Sequence, residues 1–114
     1  MTLDSILFYA CDQQNVPIEQ VKGASRKAEA VKARQIYTAV AAAHGYEYAE
    51  IMHFVGKNRT SAYNSLKIAN WQLRKEVEQC RERIGYQQLI DHVGRRAQKR
   101  RELREYFEKH KVDA

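Results

Sequence analysis

The sequence predicts an all-α protein, a helical bundle of the helix-turn-helix kind with a further helix at its C-terminal end. Three observations predict it. The 114 residues hold one proline and five glycines, so helix breakers are few, while Ala, Glu, Lys, Arg and Gln are abundant and favour helices. No stretch alternates apolar and polar residues at period two, the mark of a half-buried strand. Between Glu47 and Leu73 a short apolar run, a turn and a second amphipathic run follow one another. One domain over residues 1–84 and a basic helical extension over 85–114 are the expected organisation.

The first helix is expected over Asp4–Gln14, with Asp4 or Ser5 as cap and Ile6, Leu7 and Ala10 facing inward. Pro17 starts a single short turn to Val21, because its fixed φ suits a first helical position. Lys22–Glu29 then reads as a basic loop, since Gly23 and Ser25 weaken helix formation around Arg26 and Lys27. A second helix is expected over Ala30–Ala43, burying Val31, Ile36, Ala39, Val40 and Ala43. Its first turns carry Lys32, Arg34 and Gln35, and cations there oppose the helix dipole. Gly45 ends it as a residue at ease with positive φ.

The third helix, Tyr48–Val55, stops at Gly56, and Asn58 is expected to cap the fourth with its side-chain oxygen. Ala62, Leu66, Ala69 and Leu73 form one stripe that continues through Val77 and Cys80 to Ile84, so the fourth helix is expected to be long and to stop at Gly85. A fifth helix follows over Gln87–His110. Its basic runs Arg95-Arg96 and Lys99-Arg100-Arg101 are interleaved with Glu102, Glu105 and Glu108, which suits a solvated face.

A net charge of +6 suits a polyanionic partner, either nucleic acid or an anionic membrane surface. No apolar run reaches the length of a membrane span, and Met1–Ser5 lacks the basic start of a signal peptide; a cytoplasmic location without membrane contact is expected. Cys11 and Cys80 are read as reduced, small apolar residues. The chain has no phosphate-binding GxxxxGK[ST] loop, no Cys/His spacing of a zinc site, and no local nucleophile–base arrangement. Neither enzyme activity nor a metal or cofactor is expected.

The chemistry concentrates at Gly56–Asn64. Small polar and basic groups at a helix start suit the edges of base pairs in a DNA major groove. The fourth helix is therefore read as a long recognition helix. Asn58, Arg59 and Thr60 would face bases, and Ser61, Asn64 and Lys67 phosphates. The basic loop would supply a groove or phosphate contact; taken by itself, the segment also reads as a solvated surface loop. The competing reading is a helical interaction module, with Tyr63, Trp71 and the last helix forming a homodimer or a protein interface. On a blander view, Tyr63 and Trp71 simply pack the fifth helix onto the fourth.

From about Ile6 to Gln79 the pattern resembles the C-terminal DNA-binding domain of DnaA, the bacterial replication initiator. Val31-Lys32-Ala33-Arg34-Gln35-Ile36 is similar to that family's V-A-R-P-R-Q stretch. Gly56-Lys57-Asn58-Arg59-Thr60-Ser61-Ala62-Tyr63-Asn64 is similar to its signature G-R-D-H-T-T-V-L-H. Between them Tyr48-Ala49-Glu50-Ile51 stands where the family has L-P-E-I, and Ile18–Lys22 fits the stretch before the basic loop. The resemblance implies a Trp-repressor-like helix-turn-helix fold and binding to double-stranded DNA in replication or transcription. It implies a minor-groove arginine at Arg26, with Lys27 nearby. It also implies a basic loop residue at Lys32 and an Arg-Gln pair at Arg34 and Gln35. Asn58, Arg59 and Thr60 stand where the family reads bases, Ser61 where it meets phosphate, Asn64 for its last His, and Lys57 for its Arg. Asn prefers adenine and Arg prefers guanine, whereas the family's Asp accepts from cytosine. The resemblance therefore does not bring the initiator's target sequence with it. The ATPase module is missing, and residues beyond Gly85 lie outside the pattern. The expectation is a stand-alone domain of a bacterium or its phage.

Overall fold

Thr2 caps the first helix: its side-chain oxygen accepts from the Ser5 backbone N–H at 3.2 Å, ahead of the expected Asp4 or Ser5. From there the computed structural model describes residues 1–23 and 25–110 as six helices. They are α1 (Leu3–Gln14), α2 (Ile18–Lys22), α3 (Ala28–Ala43), α4 (Tyr48–Phe54), α5 (Thr60–Gln72) and α6 (Arg74–Lys109). No strand occurs among the described residues. The chain divides into two units, Met1–Ile84 and Gly85–Ala114.

Three helix ends in the first unit close with the same device. Asn15 (φ 55°), Gly45 (φ 91°) and Gly56 (φ 72°) adopt the left-handed conformation. That turn lets the following N–H groups reach back to carbonyls that the helix leaves free. Val16 N–H donates to Cys11 O, Tyr46 N–H to Ala41 O, and Lys57 N–H to Met52 O. Both glycines were legible as stops; Asn15 plays the same part because its short polar side chain tolerates positive φ.

Helix α3 is the centre of the first unit, touching α1, α2, α4 and α5. Its buried alanines Ala30, Ala33, Ala39 and Ala41 let neighbouring backbones come close, and Ile36, Tyr37 and Val40 fill the space between them. Of the expected inward residues, Val31 is half-buried and Ala43 exposed. The helix instead turns Tyr37 and Thr38 inward. Each has its hydroxyl satisfied: Tyr37 donates to Ile51 O at 2.9 Å, and Thr38 to Arg34 O at 2.8 Å. Ile6, Leu7, Ala10 and Cys11 of α1, Ile51 and Met52 of α4, and Ala62 and Ala69 of α5 complete this core.

The expected long fourth helix is two helices. Leu73 leaves helical geometry at φ −118° and ψ 20°, and α6 begins at Arg74. No Gly or Pro marks that point. The stripe Leu73, Val77, Cys80, Ile84 remains buried across it. Two contacts fix the first turns of α6 on α1: Gln13 donates to Glu76 O at 3.0 Å, and Arg83 pairs with Asp12. These contacts tie the start of α6 to α1, while the backbone leaves helical geometry at Leu73. Gly85 does not stop the helix either. Strong helix formers on both sides carry α6 through it at a cost of about 1 kcal/mol relative to alanine, so no separate fifth helix starts at Gln87. Cys11 and Cys80 are buried free thiols.

In the second unit, Gly85–His110 is helical to Lys109, and its described residues are exposed apart from the half-buried Gln87. Within it Gln87 donates to Asp91 and Gln98 to Glu102, one helical turn on.

Candidate nucleic-acid interface

The site begins at the end of α2. Arg34, from the second turn of α3, donates through Nε and Nη2 to Val21 O at 3.2 and 2.9 Å, and through Nη2 to Gly23 O at 3.4 Å. Partial burial of this guanidinium lowers its pKa through desolvation. Arg34 thus ties the start of the basic loop to α3, and these hydrogen bonds occupy two of its three nitrogens. Lys22 stands beside it with Nζ 4.3 Å from the centre of the Phe54 ring, a cation–π contact.

The same residue joins the loop to the α4–α5 turn. A Cβ placed on Gly56 would lie 3.5 Å from Lys22 O, ordinary van der Waals contact. The Gly56 turn and the end of α2 are therefore neighbours. Arg26 lies three residues past Gly23, and Arg59 three past Gly56, each within about 10 Å of chain. The structure thus sets Lys22, Arg34 and the Gly56 turn close together, and Arg26 and Lys27 on one side and Lys57, Asn58 and Arg59 on the other follow in the adjoining segments. Arg26 and Lys27 are exposed, and Lys57 is half-buried. The Lys27 N–H donates to Ser25 Oγ at 3.4 Å. Ala24 lies outside the described residues.

At the start of α5, Asn58 contributes its backbone rather than its side chain: Ser61 N–H donates to Asn58 O, and Ala62 N–H to Arg59 O, each at 3.0 Å. The N-cap residue is Arg59, in helical geometry and without a side-chain cap. This corrects the expected Asn58 cap and leaves the Asn58 amide unpartnered among the described residues. Asn58, Arg59 and Thr60 are all exposed. Along α5, Thr60, Asn64 and Lys67 follow at spacings of four and three and are exposed, opposite the buried Ala62, Ser65 and Ala69. Ser61 is half-buried at the edge of this face. On α3, Lys32 is exposed and Gln35 half-buried. Lys32 and Gln35 share one side of α3 at a spacing of three.

Among the described residues the ion pairs are Arg74–Glu78 and Arg83–Asp12. The cations of the site thus have no carboxylate partner among the described residues. One contact of this locality escaped sequence reasoning. Lys22 is placed by Phe54, 32 positions away, and no local pattern signals that contact. Trp71 is 84% exposed and Tyr63 56% exposed, although a packing role for both was open. Tyr63 meets Tyr48 edge-on at 5.5 Å between ring centres. Comparison with protein-family models, with curated proteins and with solved structures finds no match for this chain.

Proposed function

We propose that this chain binds double-stranded DNA in a sequence-specific manner, with α4 and α5 acting as a helix-turn-helix. The start of α5 enters the major groove. Arg59 donates as a fork to a guanine edge, Asn58 pairs with an adenine edge, and Thr60 takes a third contact. Ser61, Asn64, Lys57 and Lys67 meet phosphates on the groove walls. The basic loop reaches the adjacent minor groove with Arg26, while Lys27, Lys32 and Gln35 hold the neighbouring backbone. Arg34 serves the interface by holding the loop in place. The observation that supports this reading is the approach of Lys22 O to Gly56, which sets the end of α2, where the basic loop begins, beside the α4–α5 turn. The resemblance to the DnaA C-terminal domain supports a role in replication or transcription.

Selection of bound duplexes from a random pool tests the proposal and yields the target. Arg59→Ala is expected to lose about 1–3 kcal/mol of discrimination at one base position. Lys27→Ala is expected to weaken all duplexes alike and to reduce the salt slope by about 0.9. Recovery of no consensus, with both variants binding as the parent does at every salt concentration, refutes it.

A second reading rests on the second unit. Tyr86, Leu89, Ile90, Val93, Leu103, Tyr106 and Phe107 are exposed there, each by 44% or more. Such residues suit a protein contact, either a homodimer or another partner. No helix among the described residues is long and apolar enough to cross a membrane. Light scattering of the chain with and without duplex separates the two readings: a tight oligomer without DNA affinity favours the second.

A further inference from the structure

Trp71 is the only tryptophan of the chain, and at 84% exposure it is the most exposed of the large apolar residues among those described. Tryptophan normally dominates a core or an interface through its large area, so this position calls for a reason. On α5 it follows Thr60, Asn64 and Lys67 at spacings of four, three and four, and so shares their exposed face. Its surroundings on the chain are polar or cationic. Lys67 lies one turn earlier, Asn70 and Gln72 flank it, and Lys75 follows in the first turn of α6, all of them exposed. Protein hot spots place such a residue at the centre of a well-packed patch from which water is excluded. Of the large apolar residues of α5, Tyr63 alone is also exposed, two turns back and already against Tyr48.

We infer that Trp71 contacts the sugar–phosphate backbone of bound duplex DNA. Its indole N–H donates to a phosphate oxygen and its ring packs on deoxyribose. The inference rests on the DNA-binding reading above and extends it to the far end of α5. Eleven residues of helix separate Thr60 from Trp71, about 16 Å along the axis. A major groove is about 12 Å wide. With Thr60 at base edges, Trp71 therefore reaches the backbone strand that bounds the groove. The indole is a donor only, which matches a phosphate acceptor. Lys67 and Lys75 supply the complementary charge on either side.

Excited at the red edge of the indole band, where the seven tyrosines do not absorb, the intrinsic fluorescence of the full chain reports on this residue alone. Titration with a mixed-sequence 30-base-pair duplex at 50 mM salt is followed by tryptophan emission. In parallel, the anisotropy of a fluorescein-labelled copy of that duplex measures binding itself. The expected result is quenching and reduced accessibility to acrylamide, in step with the anisotropy. Trp71→Ala is expected to weaken every duplex by about three- to tenfold, the size of one hydrogen bond, and to leave the selected consensus unchanged. Trp71→Phe, which keeps a ring without the N–H, is expected to fall between parent and Ala. A saturating anisotropy signal with unchanged emission and acrylamide quenching overturns the inference and leaves the DNA reading standing. No anisotropy change overturns both. Emission that shifts with protein concentration in the absence of DNA places Trp71 against a second copy and also overturns the inference.

Discussion

Replacing Arg34 by lysine keeps the charge and removes the fork, which makes it a clean test of what this residue does. The guanidinium donates to Val21 O and Gly23 O through Nε and Nη2. A single ammonium on a flexible stem cannot span both carbonyls in that geometry. Hydrogen bonds from a charged donor contribute about 1.5–3 kcal/mol each way they are measured by deletion. A loss of about 2 kcal/mol in a unit of this size lowers Tm by roughly 8–16 °C. Lys27, exposed and at the N-cap of α3 without a side-chain cap bond, should change stability by less than about 0.5 kcal/mol when truncated. The two substitutions thus exchange signatures. Arg34→Lys melts early and binds duplex more weakly because the loop is released, whereas Lys27→Ala melts as the parent does and loses affinity through charge alone. Circular dichroism melts at 222 nm and duplex titrations across salt concentrations measure both. An Arg34→Lys variant melting within 2 °C of the parent would falsify the positioning role.

Two further predictions concern the core and α6. Burial pushes the thiols of Cys11 and Cys80 up to about 11, with Glu19 adding to the effect at Cys11 and Arg83 opposing it at Cys80. Iodoacetamide at pH 8 should therefore label the native chain far more slowly than the urea-unfolded chain; equal rates would contradict the burial. The folded state favours the protonated thiol, so this contribution to stability is complete below about pH 9 and is lost as pH rises through about 11. The urea midpoint should fall across that window, and less steeply when both cysteines are alanine. Gly85→Ala should raise helicity and stability by about 1 kcal/mol, because Gly85 lies inside α6 and an added Cβ meets nothing within 4 Å. A drop in stability on that change would mean that the helix ends there.

Much of the helical arrangement was legible because it follows local rules. Gly45 and Gly56 ended helices where positive φ was needed, and Ile6, Leu7 and Ala10 turned inward as their spacing demanded. The break at Leu73 was not legible, because nothing local causes it. The contacts that tie α6 to α1, through Gln13, Glu76, Arg83 and Asp12, join residues 63 and 71 positions apart and have no local signature in a sequence that would propagate one helix. Gly85 misled in the opposite direction, since one glycine cannot stop a helix whose neighbours favour it strongly. Within the site, the exposure of Arg26, Lys27, Arg59 and Lys67 follows from their charge. Arg34 carries the same charge and does something else, because its reach to Val21 O exists only once α2 and α3 are packed. Lys22 and Phe54 meet for the same reason.

The start of α5 departs from what stability alone would select. Helix α1 begins with a side-chain cap at Thr2 and an acid in its first turn, Asp4. Helix α5 begins at Arg59 with no side-chain cap and no acid in its first turn. A cation at the positive end of a helix dipole is unfavourable by about 0.3–1 kcal/mol, and an anion there is favourable by as much. Arg59→Glu should therefore stabilise the Met1–Ile84 unit by about 1 kcal/mol, a rise of roughly 4–8 °C in Tm. The same change sets a carboxylate against the phosphates and removes the guanine fork, so duplex binding should disappear. Thermal melts and duplex anisotropy on one preparation decide the matter. A variant that melts higher and no longer binds identifies Arg59 as a residue kept for contact at the expense of helix stability. A variant that melts lower, or one that still binds, removes the reason for assigning the α5 start to base edges.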